Sequence, residues 1–240
     1  AASALNTLDG KTTLAINASN INTLTGTTAD LNTAYASSGI NNLGNEAVTL
    51  SDTTLAVSVL NTLDGRTSGA INAASINTLT GAAADLNTAY TSSGINNLGD
   101  EAVTLSDNSL AVSVLNDLDG RTSGAINAAS INTLSGAAAD LNTAYTSSGI
   151  NNLGNEAVTL SDTSLAVSVL NDLDGRTSGA INAASINTLS GAAVDLNTAY
   201  DSSGINNLGN EAVTLSDTSL DAAVLNDLNG NTSGVINAAS

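Results

Sequence analysis

The chain of 240 residues has no Pro, Cys, Met, Trp, Phe or His, and four tyrosines are its only aromatic residues. Each absence removes a possibility. Without Cys there is no disulfide and no thiolate nucleophile; without His as well, there is no ordinary zinc site and no Ser-His-Asp triad. General acid–base chemistry would fall to carboxylates, Tyr, Lys or Arg. No such grouping stands apart from the pattern described below, so the chain reads as a non-enzyme with no catalytic, cofactor-binding or metal residue to assign. Lys and Arg total four against 22 acidic residues, a formal net charge of −18. That balance lacks the basic footprint that phosphate backbones and anionic lipids require. No apolar run approaches the length that crosses a bilayer, so neither nucleic acid nor membrane insertion is expected.

The lack of large aromatic and Met side chains leaves Leu, Ile, Val and Ala to do all the burying, which points to a thin core built of many similar layers. What the sequence does have is repetition. Leu5-Asn6-Thr7-Leu8-Asp9-Gly10 recurs from Leu60, Leu115, Leu170 and Leu225, and Tyr35, Tyr90, Tyr145 and Tyr200 keep the same step. Residues 111–165 and 166–220 differ only at Ala139/Val194 and Thr146/Asp201. The array divides as 1–55, 56–110, 111–165 and 166–220, with a partial copy at 221–240. It begins and ends inside the pattern with no distinct caps, which a stacked-repeat protein normally needs. It therefore reads as one array cut from a longer one, or as copies that stack end to end or associate laterally.

Within each repeat a weaker symmetry separates two unequal parts, 111–136 and 137–165 in the third copy. Each part opens with a helical spacing. Ala56, Val59, Leu60 and Leu63 share one side, with Ser51, Asp52 or Thr53 available to cap the start and Gly65 to end it. Ala82, Leu86, Ala89 and Tyr90 do the same in the second part, between Thr80 and Gly94. Short apolar pieces follow each helix: 70–72 and 76–79 in the first part, 95–98 and 102–105 in the second. They are too short for helices and read as parallel strands. The expected fold is an α/β solenoid in which each repeat supplies two helix-plus-short-strand coils, with sheets on two sides and a helix row on the third. Each coil should rise by roughly 4.8 Å. An all-β solenoid with coils of about 18 residues is the alternative, but it leaves the helical spacing unused.

Recurring Asn residues (Asn61, Asn72, Asn77, Asn87, Asn96) suit ladders in which a side-chain amide bonds the backbone of the next coil. Lys11, Arg66, Arg121 and Arg176 each lie two residues after an Asp, and both positions become Asn in the last copy, at Asn229 and Asn231. That paired loss suggests a local ion pair. Asp64, Asp85, Asp100-Glu101 and Asp107 would align in acidic columns. Calcium could bridge such columns, although no calcium-loop motif is present and capping and solubility explain the residues without it. The tyrosines fit half-buried positions with wet hydroxyls.

The strings Leu115-Asn116-Asp117-Leu118-Asp119-Gly120, Thr78-Leu79-Thr80-Gly81, Ala84-Asp85-Leu86-Asn87-Thr88-Ala89-Tyr90 and Asn155-Glu156-Ala157-Val158-Thr159-Leu160-Ser161-Asp162 resemble the repeat regions of giant secreted cell-surface proteins of marine cyanobacteria. The resemblance covers the whole chain. It implies an exported, extracellular, structural protein of the cell surface and transfers no catalytic residue. A looser similarity, over short pieces only, is to marine phage tail-fibre repeats. The functional expectation is a structural segment of a surface rod, filament or layer, with a repetitive adhesin or fibre that binds carbohydrate or another cell as the alternative.

Overall fold

A computed structural model of the chain describes residues 1–238. Among these residues nine helices alternate with short parallel strands, with roughly 55-residue periodicity, as an α/β solenoid of repeated coils. The chain forms two compact units, one of Ala1–Asp107 with Asp117–Asn127 and the other of Asn108–Asn116 with the residues from Ala128 onward.

In the first unit the helices Thr28–Ala36, Val57–Asp64 and Ala83–Thr91 follow one another; in the second, Ala138–Thr146, Val167–Asp174, Ala193–Asp201 and Ala222–Asn231 do so. Their starts reproduce the uneven division of the repeat. The inward face differs in phase from the expected one. Val57, Leu60 and Leu63 are buried, whereas Ala56 is exposed and Val59 is only half-buried. In the second helix Ala83, Leu86 and Ala89 turn inward, and Ala82 is the N-cap. The steps of three keep each contact on one narrow stripe, and so short a helix needs no wider one. Such helices are too short to hold alone and depend on the surface they cover.

The capping residues also differ. The first helix starts at Val57 because Thr54–Ala56 is a strand that the helical spacing concealed. Asp52 does not cap that helix. Its Oδ2 accepts from the backbone N–H of Thr28, at 2.7 Å, at the start of a helix 24 residues earlier. Asp107, Asp162 and Asp217 cap Ala83, Ala138 and Ala193 in the same way, each at 2.8 Å across 24 residues. Ala82, Ala137 and Ala192 supply no side-chain cap of their own, so each coil closes a helix of its neighbour. We expect Asp162→Ala to cost about 1 kcal/mol, as the loss of an N-cap does. A urea melt of the substituted chain measures it, and substituting the exposed Asp172 provides the baseline.

The sheets are staggered rather than continuous. In the second unit Ser109–Ala111, Thr133–Gly136, Ala157–Leu160, Ile181–Asn182 and Ile205–Asn206 form one five-stranded parallel sheet. Its register pairs Ser109 with Thr133, Thr133 with Ala157, Val158 with Ile181 and Ile181 with Ile205. A second sheet starts one repeat later, at Ser164–Ala166. The ladder thus steps from Thr133 to Ala157 and from Val158 to Ile181, whereas successive helices of this unit begin at Ala138, Val167 and Ala193. The helix step is the longer of the two. After one repeat the ladder has fallen behind the helix row by one strand, and the strand before each first helix opens a new sheet. Physical spacing makes the offset useful. Parallel strands lie about 4.8 Å apart, but packed helices need about 8–10 Å. Helices that move round the coil relative to the ladder need not sit directly on one another.

Inside, strands such as Ala47–Leu50 and Ala157–Leu160 bury alternate residues. Val48, Leu79 and Ile71 in the first unit, and Leu134, Val158, Leu189 and Ile181 in the second, are at most 1% exposed. The apolar layers contain no side chain larger than Leu or Ile, as the composition requires.

Candidate functional site

Three sets of polar contacts recur along the array, and each includes bonds from one coil to another. The first is the Asn amide ladder. Asn61 Nδ2 donates to the Asp85 carbonyl, and Asn171 Nδ2 to that of Asp195, each at 3.0 Å. Asn32 and Asn142 continue the chain of contacts to the carbonyls of Val59 and Val169, at 3.1 and 3.0 Å. These residues lie on helices, so the ladder ties helix to helix. Asn72 acts differently: its Oδ1 accepts from Asn97 Nδ2 at 2.8 Å, and Asn97 holds a left-handed turn at φ 63°. Asn77 and Asn96 take part through their main-chain carbonyls, which accept from Ala102 and Ala73.

The second set contains the acidic residues. Asp64 Oδ2 accepts from Ser92 Oγ at 2.7 Å, and Asp174 from Ser202 at the same distance. Arg66 is therefore not the local partner of Asp64. Its Nη1 reaches instead to the Asn32 carbonyl at 2.8 Å, across 34 residues. Asp85 stands in the first turn of its helix, where it complements the helix dipole. Asp107 caps a helix and Asp100 is exposed. The expected columns thus separate into individual contacts. Among the described residues no group of three or more acidic side chains comes together.

The third set is the one most enclosed. Glu46, Glu101, Glu156 and Glu211 are each 1% exposed. In every copy Oε2 accepts from the tyrosine 11 residues earlier, at 3.1 Å for Tyr35 and 3.2 Å for Tyr90, Tyr145 and Tyr200. The same oxygen accepts from the backbone N–H of a Gly two residues before it, as Gly154 does for Glu156 at 2.8 Å. A Thr from the following coil closes the cluster: Thr122 Oγ1 donates to the Glu101 carbonyl at 3.3 Å. The other carboxyl oxygen is buried without a protein hydrogen-bond partner in all four copies. Burial pushes the hydroxyls of Tyr35 and Tyr200 up to about 12, with the neighbouring Glu adding to the effect and the Thr hydroxyl opposing it. Tyr90 and Tyr145 are pushed up further by the same causes.

The tyrosines are half-buried, as expected, and their hydroxyls are in addition engaged by the Glu. Reading Glu101 with Asp100 as one acidic patch hid this cluster. The signal was present, since Asp100 changes to Asn155 in the next copy while the Glu, its Gly and its Tyr stay at fixed spacing. The sign of the pH effect follows from the raised tyrosines. The unfolded chain loses the Tyr35 and Tyr200 protons near pH 10 and the folded chain only near 12, so the stability they contribute is present below about pH 10 and is lost as pH rises from 10 through 12. Tyrosinate absorbance should therefore stay low in the folded chain at pH 11 and appear at once on adding denaturant. Simple titration near 10 in the folded chain would contradict the cluster.

Chemically, these groups brace the coils. Every donor and acceptor named is directed at a neighbouring coil or a nearby turn. No family model matches the chain, and neither a curated protein nor a solved structure is found to match it.

Proposed function

We propose that this chain is a structural segment of an extracellular surface rod, filament or layer, assembled by stacking coil on coil. One observation carries the reading: near-identical repeats make the same set of coil-to-coil bonds in each copy, in capping Asp, Asn amide and Tyr–Glu–Thr cluster alike. A protein built this way changes length by adding repeats and presents the same acidic, hydroxyl-rich surface at each step. Self-association, end to end or laterally, would extend the same principle between chains. Among the described residues no helix is long and apolar enough to cross a membrane.

The test is immunogold electron microscopy on the source cells with antibody raised against a single repeat. Gold on filaments or a layer outside the cell is the expected result. Gold confined to the cytoplasm or to virus particles would overturn the reading.

A further inference from the structure

Near-identical repeats make any departure informative, and two departures, one in copy 166–220 and one in the partial copy 221–240, fall on neighbouring helices. The position occupied by Arg66, Arg121 and Arg176 is Asn231, and the position occupied by Ala36, Thr91 and Thr146 is Asp201. The Arg is lost together with the Asp two residues before it, which becomes Asn229, while Asp201 adds a carboxyl group; Asn231 and Asp201 fall in one groove. Asn197, Asp201, Asn226, Asp227, Gly230 and Asn231 line a cavity of about 400 Å³ between the helices Ala193–Asp201 and Ala222–Asn231. Residue for residue, these match Asn32, Ala36, Asn61, Thr62, Gly65 and Arg66 of the first unit.

There the groove has an occupant. Arg66, just past the helix Val57–Asp64, reaches the neighbouring helix Thr28–Ala36, where its Nη1 donates to the Asn32 carbonyl at 2.8 Å. In the last copy Asn231 is too short to fill the same space, and its Nδ2 reaches only Asn197 Oδ1, at 3.1 Å. We propose that this groove binds a guanidinium cation, that of an arginine side chain on a partner chain. The Asn197 carbonyl stands where the Asn32 carbonyl accepts from Arg66, and Asp201 and Asp227 add two carboxyl groups that the Arg66 groove lacks. A guanidinium is planar with five donors, and it suits a groove of several oxygen acceptors better than a compact ammonium does. A divalent cation would seek six or more oxygens at close range, and two carboxyl groups among amides are a poor cage. The overall charge of −18 also favours a basic partner.

Titration of the isotope-labelled full chain with N-acetylarginine amide, followed by NMR on the Asn197, Asn226 and Asn231 side-chain amides, tests this. The expected result is a saturable shift that weakens with added salt. Asp201→Ala, which restores the residue of the Arg66 groove, Ala36, should weaken binding about tenfold, the effect of one charge-assisted hydrogen bond. Asn231→Arg, which returns the groove's own occupant, should abolish it. Both variants carry residues that folded copies already hold, and circular dichroism confirms that they fold. No saturable shift, or an unchanged shift in Asn231→Arg, overturns the site. Tighter binding of N-acetyllysine amide or of calcium overturns the guanidinium assignment.

Discussion

Gly179→Ala should destabilise the second unit by about 3 kcal/mol, near the upper end for an overpacked site. The reason is space, not backbone freedom. A Cβ at Gly179 would collide with the Glu156 carbonyl group, with the Asn155 carbonyl oxygen 2.9 Å away on the same side. These are main-chain atoms held in place by the turn that carries the buried Glu156, so no side chain can move aside. Gly175, four residues earlier, provides the contrast. It has an ordinary helical conformation, and a Cβ there would meet only the carbonyls of Asn171 and Asp172, each at 3.6 Å. Gly175→Ala should be neutral or stabilising by about 0.5 kcal/mol, because it restricts the unfolded chain. Urea denaturation of the two variants measures the difference. Equal effects would mean that the coils do not approach as closely as described.

Glu156→Ala is the second large loss, at about 2–3 kcal/mol, because three partly buried donors lose one acceptor. Its Oε2 takes hydrogen bonds from Tyr145 Oη, from the Gly154 N–H and from the Asn155 N–H, at 3.2, 2.8 and 3.2 Å. Truncation removes the shared acceptor from all three donors; a fully buried orphan costs about 1–3 kcal/mol, and these partly buried ones cost less apiece. Glu156→Gln keeps an acceptor oxygen of the same reach and should cost about 1–2 kcal/mol. If alanine costs no more than glutamine, the cluster does not brace the turn. Raising the pH through the tyrosine range should narrow the gap between the native chain and the Tyr145→Phe variant, since that contact is then lost in both.

The fold was legible wherever periodicity follows directly from geometry. The repeat step, the two helices per repeat and their uneven spacing could all be read from Leu60, Tyr90 and their equivalents. Contacts between coils were less legible, because they join residues far apart in the chain with no local mark. Asp52 and Thr53 precede an apolar helix and so imitate its cap, yet Asp52 serves a helix already completed. Thr54–Ala56 merges into a helical spacing because a short strand and the first turn of a helix share the same small residues. Arg66 follows an Asp closely, which suggests a local ion pair, but a long side chain on a stacked coil reaches the neighbouring helix more easily. The stagger of the sheets depends on the difference between the strand step and the helix step, and sequence gives only the second. Of the polar clusters, the one around Glu156 was recoverable from its constant spacing to Gly154 and Tyr145.

The most direct test of coil-on-coil stacking is the denaturation of arrays containing one, two and four repeats. The sheet that starts at Ser109 ends at Asn206, so completing it takes nearly two repeats. One repeat alone, residues 111–165, should show no cooperative unfolding transition. Stability and urea dependence should then rise with every added repeat, as nearest-neighbour coupling requires. A lone repeat that unfolds cooperatively at the same urea midpoint as the four-repeat array would contradict the account.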